Sequence, residues 1–170
     1  THAGGTAAGA AGGVTTFASS SQAQNANLRI EAGAVPGAFG GRTSFTQNSS
    51  AGNALFTVEG GRFAEGLQAA HGELIFSGNA TAADASITNR GSTAGSVSWG
   101  GFTVFDASSS AGNATITSLG ASVAGGWAGN TRFNGTSSAG NATLRAAAAL
   151  MPGSEGGHNF FFGNSSAANA

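Results

Sequence analysis

Cysteine, lysine and tyrosine are all missing from this 170-residue chain, and charge of either sign is scarce. Without cysteine there are no disulfides and no thiolate-bound metals. Without lysine, the six basic residues are all arginine, and they are scattered. A formal net charge of −1 leaves no electrostatic basis for binding nucleic acid or an anionic membrane. Charged residues make up 8% of the chain, far below the roughly one quarter of an ordinary globular protein. No apolar run approaches the roughly 18 residues that a membrane-spanning helix requires. The chain opens on Thr1 with no visible signal peptide, and reads as a mature or excised segment.

What is abundant is glycine (30 residues), together with a 40% hydrophobic fraction and 12 phenylalanines. That apolar content argues against a disordered low-complexity chain. The phenylalanines are ordered by an internal repeat of six decapeptides: FASSSQAQNA, FTQNSSAGNA, FSGNATAADA, FDASSSAGNA, FNGTSSAGNA and FFGNSSAANA. They begin at Phe17, Phe45, Phe76, Phe105, Phe133 and Phe161, a nearly constant step lengthened mainly between Phe45 and Phe76. A glycine stands four residues before each: Gly13, Gly41, Gly72, Gly101, Gly129 and Gly157.

The residues that follow each decapeptide alternate with the period of a half-buried strand. Leu28, Phe56, Ile87, Ile116 and Leu144 fall on the inner face, continued by Ile30 and Val58. Arg29, Thr57, Thr88, Thr117 and Arg145 fall on the outer one. A second strand surrounds each repeat phenylalanine. A third is expected around Val35, residues 63–67, 97–99 and 123–127, and Leu150. The alanine-rich stretch from Arg145 to Met151 is expected to form a helical turn before Pro152.

A repeat that cannot enclose its own apolar face must stack on its neighbours. The chain is therefore expected to be one all-β domain over residues 1–170, a parallel β-solenoid (β-helix) of about six coils. Rungs about 4.8 Å apart would superpose the six phenylalanines in an internal stack. Asn25, Asn53, Asp84, Asn113, Asn141 and Asn169 would form an amide ladder at one turn, weakened at Asp84, which has no donor. Gly52, Gly112 and Gly140, just before the ladder, are replaced by Gln24, Ala83 and Ala168 in other coils. On that ground a positive φ is not expected to be obligatory there. Ala51, Ala111 and Ala139 are expected to tuck inside the corner.

The phrase SSAGNATITS, from Ser109 to Ser118, resembles the STAGNATI-like repeats of bacterial autotransporter-type passengers and related β-strand-repeat surface proteins. The resemblance extends over the decapeptides and their following strands, and implies an exported β-helical stalk or adhesin. The period is longer than that of the resembled repeats, and no membrane-anchoring barrel is visible. The stretch from the last alanine of one decapeptide to the next phenylalanine varies little: Ala26 to Phe45, Ala54 to Phe76, Ala85 to Phe105, Ala114 to Phe133, Ala142 to Phe161. From Ala170 to Phe17 of a second copy it would be only slightly shorter. The near-match in phase leads to the expectation of a structural subunit of an extracellular or cell-surface fibre. Its partners would be copies of itself head to tail, or flanking repeats of a longer chain. His2 would then fall in the slot of Leu28, unless the register shifts at the joint.

The other readings are an adhesin or glycan-binding passenger, with surface glycans contacting the long loop from Gly60 to Gly72, and a polysaccharide-active enzyme. The second has little to draw on. Glu31 and Glu59 lie six residues past their ladder asparagines and are expected to be neighbours, but Arg29 would screen Glu31. His2, His71 and His158 are far apart in sequence, and neither a cofactor motif nor a metal-binding repeat is present. Threonine columns of the ice-binding kind are interrupted by Arg29 and Arg145. Asn48, Asn79, Asn134 and Asn164 head N-x-S/T sequons at turns, and Asn113 and Asn141 match too, but the ladder is expected to bury them.

Overall fold

A computed structural model describes residues 1–63, 70–95 and 98–170. Eleven four-residue strands are formed: β1 (Val14–Phe17), β2 (Asn27–Ile30), β3 (Arg42–Phe45), β4 (Leu55–Val58), β5 (Glu73–Phe76), β6 (Ser86–Asn89), β7 (Phe102–Phe105), β8 (Thr115–Ser118), β9 (Asn130–Phe133), β10 (Thr143–Ala146) and β11 (His158–Phe161). The odd-numbered strands stack in chain order into a six-stranded sheet and the even-numbered ones into a five-stranded sheet. Every pairing is parallel, and the repeat phenylalanines are in register. The result is a β-solenoid of five two-stranded coils with a sixth begun by β11.

Strand alternation sends the second and fourth residues of each strand inward. The phenylalanine rings stack with centroids 4.5 Å apart for Phe17 and Phe45, then 4.9, 4.8, 4.8 and 4.7 Å up to Phe161, all nearly parallel. Phe45, Phe76, Phe105 and Phe133 are fully buried, whereas Phe17 is half-buried and Phe161 is 37% exposed. Opposite them lie Phe56, Ile87 and Ile116, with Leu28 and Leu144 at the edges of the core. Five of the glycines before a repeat phenylalanine are required by a close approach. A Cβ on Gly41, Gly72, Gly101, Gly129 or Gly157 would strike the backbone carbonyl of His2, Ile30, Val58, Asn89 or Ser118, respectively.

The other inward column is mixed. Ile30, Val58 and Leu74 are apolar there, Thr43 lies 3.4 Å from His2 Nδ1, and Asn89, Thr103, Thr131 and Ser118 are just as fully buried. These last four satisfy one another. The Thr103 hydroxyl donates to Asn89 Oδ1 at 2.6 Å, Asn89 Nδ2 donates to Thr131 Oγ1 at 3.0 Å, and the Thr131 and Ser118 hydroxyls lie 3.1 Å apart. Within the chain His2 bridges to Ile30 and so takes the slot beside Ile30, not the one beside Leu28. Its Nε2 sits 2.5 Å from Thr15 Oγ1.

The decapeptide is a corner in which successive positions have distinct tasks. Two residues after each phenylalanine the chain turns through positive φ: Ser19, Gln47, Gly78, Ala107, Gly135 and Gly163. Three residues further, Gln22, Ser50, Thr81, Ser110, Ser138 and Ser166 form single-residue parallel bridges from rung to rung. The hydroxyls of the last five accept the backbone N–H two residues on, at 3.0–3.1 Å. That amide belongs to a second left-handed column, in which Gly52, Gly112 and Gly140 have φ of 63–64° and Gln24, Ala83 and Ala168 have 50–52°. The expectation that positive φ is dispensable here is therefore corrected: all six coils adopt it, and the hydroxyl helps to hold it. Ala51, Ala111 and Ala139 are buried as expected.

Between the end of one even strand and the next odd strand lies the third side. No strand forms there among the described residues, contrary to expectation at Val35, residues 123–127 and Leu150; most of 63–67 and residue 97 lie outside the described residues. Stacked tight turns replace it, closed by Ala38 N–H to Val35, Gly126 N–H to Val123 and Ser154 N–H to Met151. The helical turn expected from Arg145 to Met151 is absent too: Arg145 and Ala146 belong to β10, and Ala147 N–H bonds across to Ser118. The cross-rung partner outcompetes the local helical one.

Candidate functional site

The residues singled out as acid–base candidates form an ion-pair cluster. Arg29 Nε lies 2.9 Å from Glu31 and 3.1 Å from Glu59, so the two carboxylates are neighbours as expected. Arg62 approaches Glu31 at 2.6 Å and Arg90 approaches Glu59 at 3.4 Å. Three guanidiniums thus pair with two carboxylates on adjacent rungs.

The asparagine ladder exists and is exposed. Asn53 donates to Asn25 at 3.4 Å, Asn113 to Asp84 at 3.0 Å, Asn141 to Asn113 at 3.3 Å and Asn169 to Asn141 at 3.1 Å. Asp84 accepts from the next rung and has nothing to donate to Asn53. All six ladder side chains face solvent, so the expectation that Asn113 and Asn141 are buried is corrected. Among the turn sequons, Asn48, Asn79 and Asn164 are exposed, and Asn134 is half-buried. The column Arg29, Thr57, Thr88, Thr117, Arg145 is in register on the outer face, its threonines bounded by arginine at both ends. The long loop from Gly60 to Gly72 lies partly outside the described residues.

A different feature stands out on the surface. Two residues before each odd strand the chain runs through Gly12, Gly40, His71, Gly100, Ala128 and Gly156. Mostly small residues there leave a trough along the solenoid axis where the third side meets the six-stranded sheet. One wall is the column just before it, carrying Phe39, Trp99 and Trp127; the other is the first residue of each strand, including Arg42, Glu73, Phe102 and Asn130. Three hollows of about 270, 170 and 180 Å³ follow one another along the trough and share walls. Trp99 and Trp127 pack with centroids 4.6 Å apart, and Trp127 and Phe39 are 36% and 43% exposed. Arg132 reaches over Phe102, its guanidinium carbon 4.9 Å from the ring centroid, with Phe162 at 5.2 Å.

Three polar atoms of the trough lack a partner among the described residues: His71 Nδ1, Asn130 Oδ1 and Arg132 Nε. His71 and Asn130 are 5% and 6% exposed, so their polar atoms face little water. Burial drives the His71 pKa down to about 4. The imidazole is therefore neutral at pH 7, and its 3.7 Å approach to Glu73 is not an ion pair there. His2, His71 and His158 are not brought together, and no cluster of three metal-ligating side chains occurs among the described residues. Sequence reasoning misses the trough because it assigns Trp99 and Trp127 to a strand. The signal is their placement three residues before successive odd strands.

The described residues contain no helix long and apolar enough to cross a membrane. Compared with protein-family models, curated proteins and solved structures, the chain gives no match, so its function is argued from its own geometry.

Proposed function

We propose that the chain is a structural rod unit of an extracellular or cell-surface fibre, its coils continued head to tail by further copies. The observation that carries this is the contrast along the phenylalanine stack: rings covered on both faces have no exposure, and Phe161, covered on one, has 37%. The ends are also complementary in hydrogen bonding. Each rung's amide after the repeat phenylalanine donates to the carbonyl below it, as Thr46 does to Phe17 and Phe162 to Phe133. Each rung's corner alanine donates the other way, as Ala23 does to Ser50 and Ala139 to Ser166. By this pattern the last rung offers the Phe161 carbonyl and the Ala167 amide, and the first offers the Ala18 amide and the Gln22 carbonyl. The ladder matches as well, with Asn169 Oδ1 at one end and the Asn25 amide at the other.

Such a contact is heterologous and repeats without closing, which gives a filament. Tension along the rod is resisted by continuous backbone ladders. The resemblance to exported surface repeats and the freedom from cysteine are compatible with a site outside the cell. Sedimentation velocity over a concentration series, with electron microscopy, tests the reading. Wild type is expected to form long uniform rods, and Phe161→Asp to remain monomeric with an unchanged β-sheet spectrum. A wild-type monomer at every concentration overturns it.

A further inference from the structure

The trough calls for a ligand of its own, independent of whether rods stack. The geometry points to a binding site for a neutral, linear polysaccharide lying along the solenoid axis over Trp99 and Trp127. Half-exposed aromatic rings present apolar faces of the kind that cover the C–H face of a pyranose. Unlike the interior phenylalanines, these rings are not closed off by the fold: Trp127 and Phe39 keep 36% and 43% of their surface in water.

The unpartnered atoms supply the polar half of the recognition. Asn130 Oδ1 accepts, Arg132 Nε donates, and the neutral His71 ring offers whichever role its tautomer leaves at Nδ1. A sugar hydroxyl both donates and accepts, so one kind of group suits all three once their side chains turn these closely buried atoms toward the trough. Leaving such atoms buried without a partner is costly, and a bound hydroxyl removes that cost.

Charge selects against an acidic polymer. Arg42 is paired with Glu73 at 3.7 Å, and Glu155 lines the same hollow as Arg132, so two carboxylates offset two guanidiniums along the trough. No uncompensated cationic stripe remains among the described residues for uronate groups. Repetition selects for a polymer. Equivalent wall positions recur at the rung spacing of about 4.8 Å, comparable to the length of one sugar unit in an extended chain. A chain of such units meets successive hollows in step, which a single monosaccharide cannot do.

The test is isothermal titration of the whole protein with cellohexaose, chitohexaose and mannohexaose, with hexagalacturonate as the acidic counterpart. At least one neutral hexasaccharide is expected to bind, with its disaccharide at least about tenfold weaker because it spans fewer hollows. Trp127→Ala, on an exposed turn, is expected to weaken the hexasaccharide at least about tenfold with an unchanged circular dichroism spectrum. Thr117→Ser, on the other sheet, is expected to bind as wild type. Absence of binding by all three neutral sugars, binding of hexagalacturonate alone, equal affinity for di- and hexasaccharide, or wild-type affinity in a folded Trp127→Ala would each overturn the assignment.

Discussion

Ala83 holds a φ of 51°, a conformation that an L-residue with a Cβ adopts at a cost of about 1–2 kcal/mol. Its equivalents in three other coils are glycine, which adopts it freely. Ala83→Gly is therefore expected to stabilise the rod by about 1 kcal/mol, read as a raised denaturation midpoint, even though it adds no contact. The sequence alone points to the opposite backbone, because loss of glycine there suggests a relaxed φ. What that inference lacks is the Thr81 hydroxyl, which accepts the Ala83 amide at 3.0 Å and belongs to a column visible in the sequence. His71 sets a second expectation at this scale. Its imidazole titrates near 6.5 in an unfolded chain and at about 4 in the fold. The unfolded state takes up the proton first, so the stability is complete above pH 6.5 and falls as pH drops toward 4. The loss is on the order of 3 kcal/mol. His71→Gln should flatten that part of the pH profile, measured by urea unfolding at neutral pH and near pH 4.

At the scale of the element, two sheets are legible in the sequence and the third side is not. The odd and even strands repeat side chains at period two, and stacking converts that repetition into register: Phe105 pairs with Phe76 and Phe133, Ile116 with Ile87 and Leu144. Among the described residues, the third side is held mostly by backbone-to-backbone bonds in turns, with Ser92 and Ser154 adding side-chain ones, so its side chains carry no strand signal. The buried polar column escapes notice for another reason. Asn89, Thr103 and Thr131 look like surface residues until stacking brings them together inside. Removing the ring of Phe105, fully buried between Phe76 and Phe133, is expected to cost about 3–5 kcal/mol as Phe105→Ala, and Phe105→Asp should prevent folding. Thr117→Ser, on the outer face, should shift stability by less than about 0.5 kcal/mol in the same denaturation assay. A folded Phe105→Asp rod would remove the basis of the assigned core.

On the scale of the whole molecule, the trough depends on walls that lie one full coil apart in sequence: Trp99 with Trp127, and Phe102 with Asn130. No local window contains both members of either pair, which is why the fold can be read from the repeat and the site cannot. The proposed head-to-tail joint is legible in part, through the phase of the decapeptides. Its donor–acceptor match requires the directions of the bonds. One feature carries further. Because equivalent residues superpose from coil to coil, excising residues 105–132 would seat Phe133 directly upon Phe76 with the hydrogen-bond pattern intact. Length in such a molecule changes by whole storeys, each adding about 4.8 Å of height, so duplication of a gene segment can lengthen it without redesigning any joint.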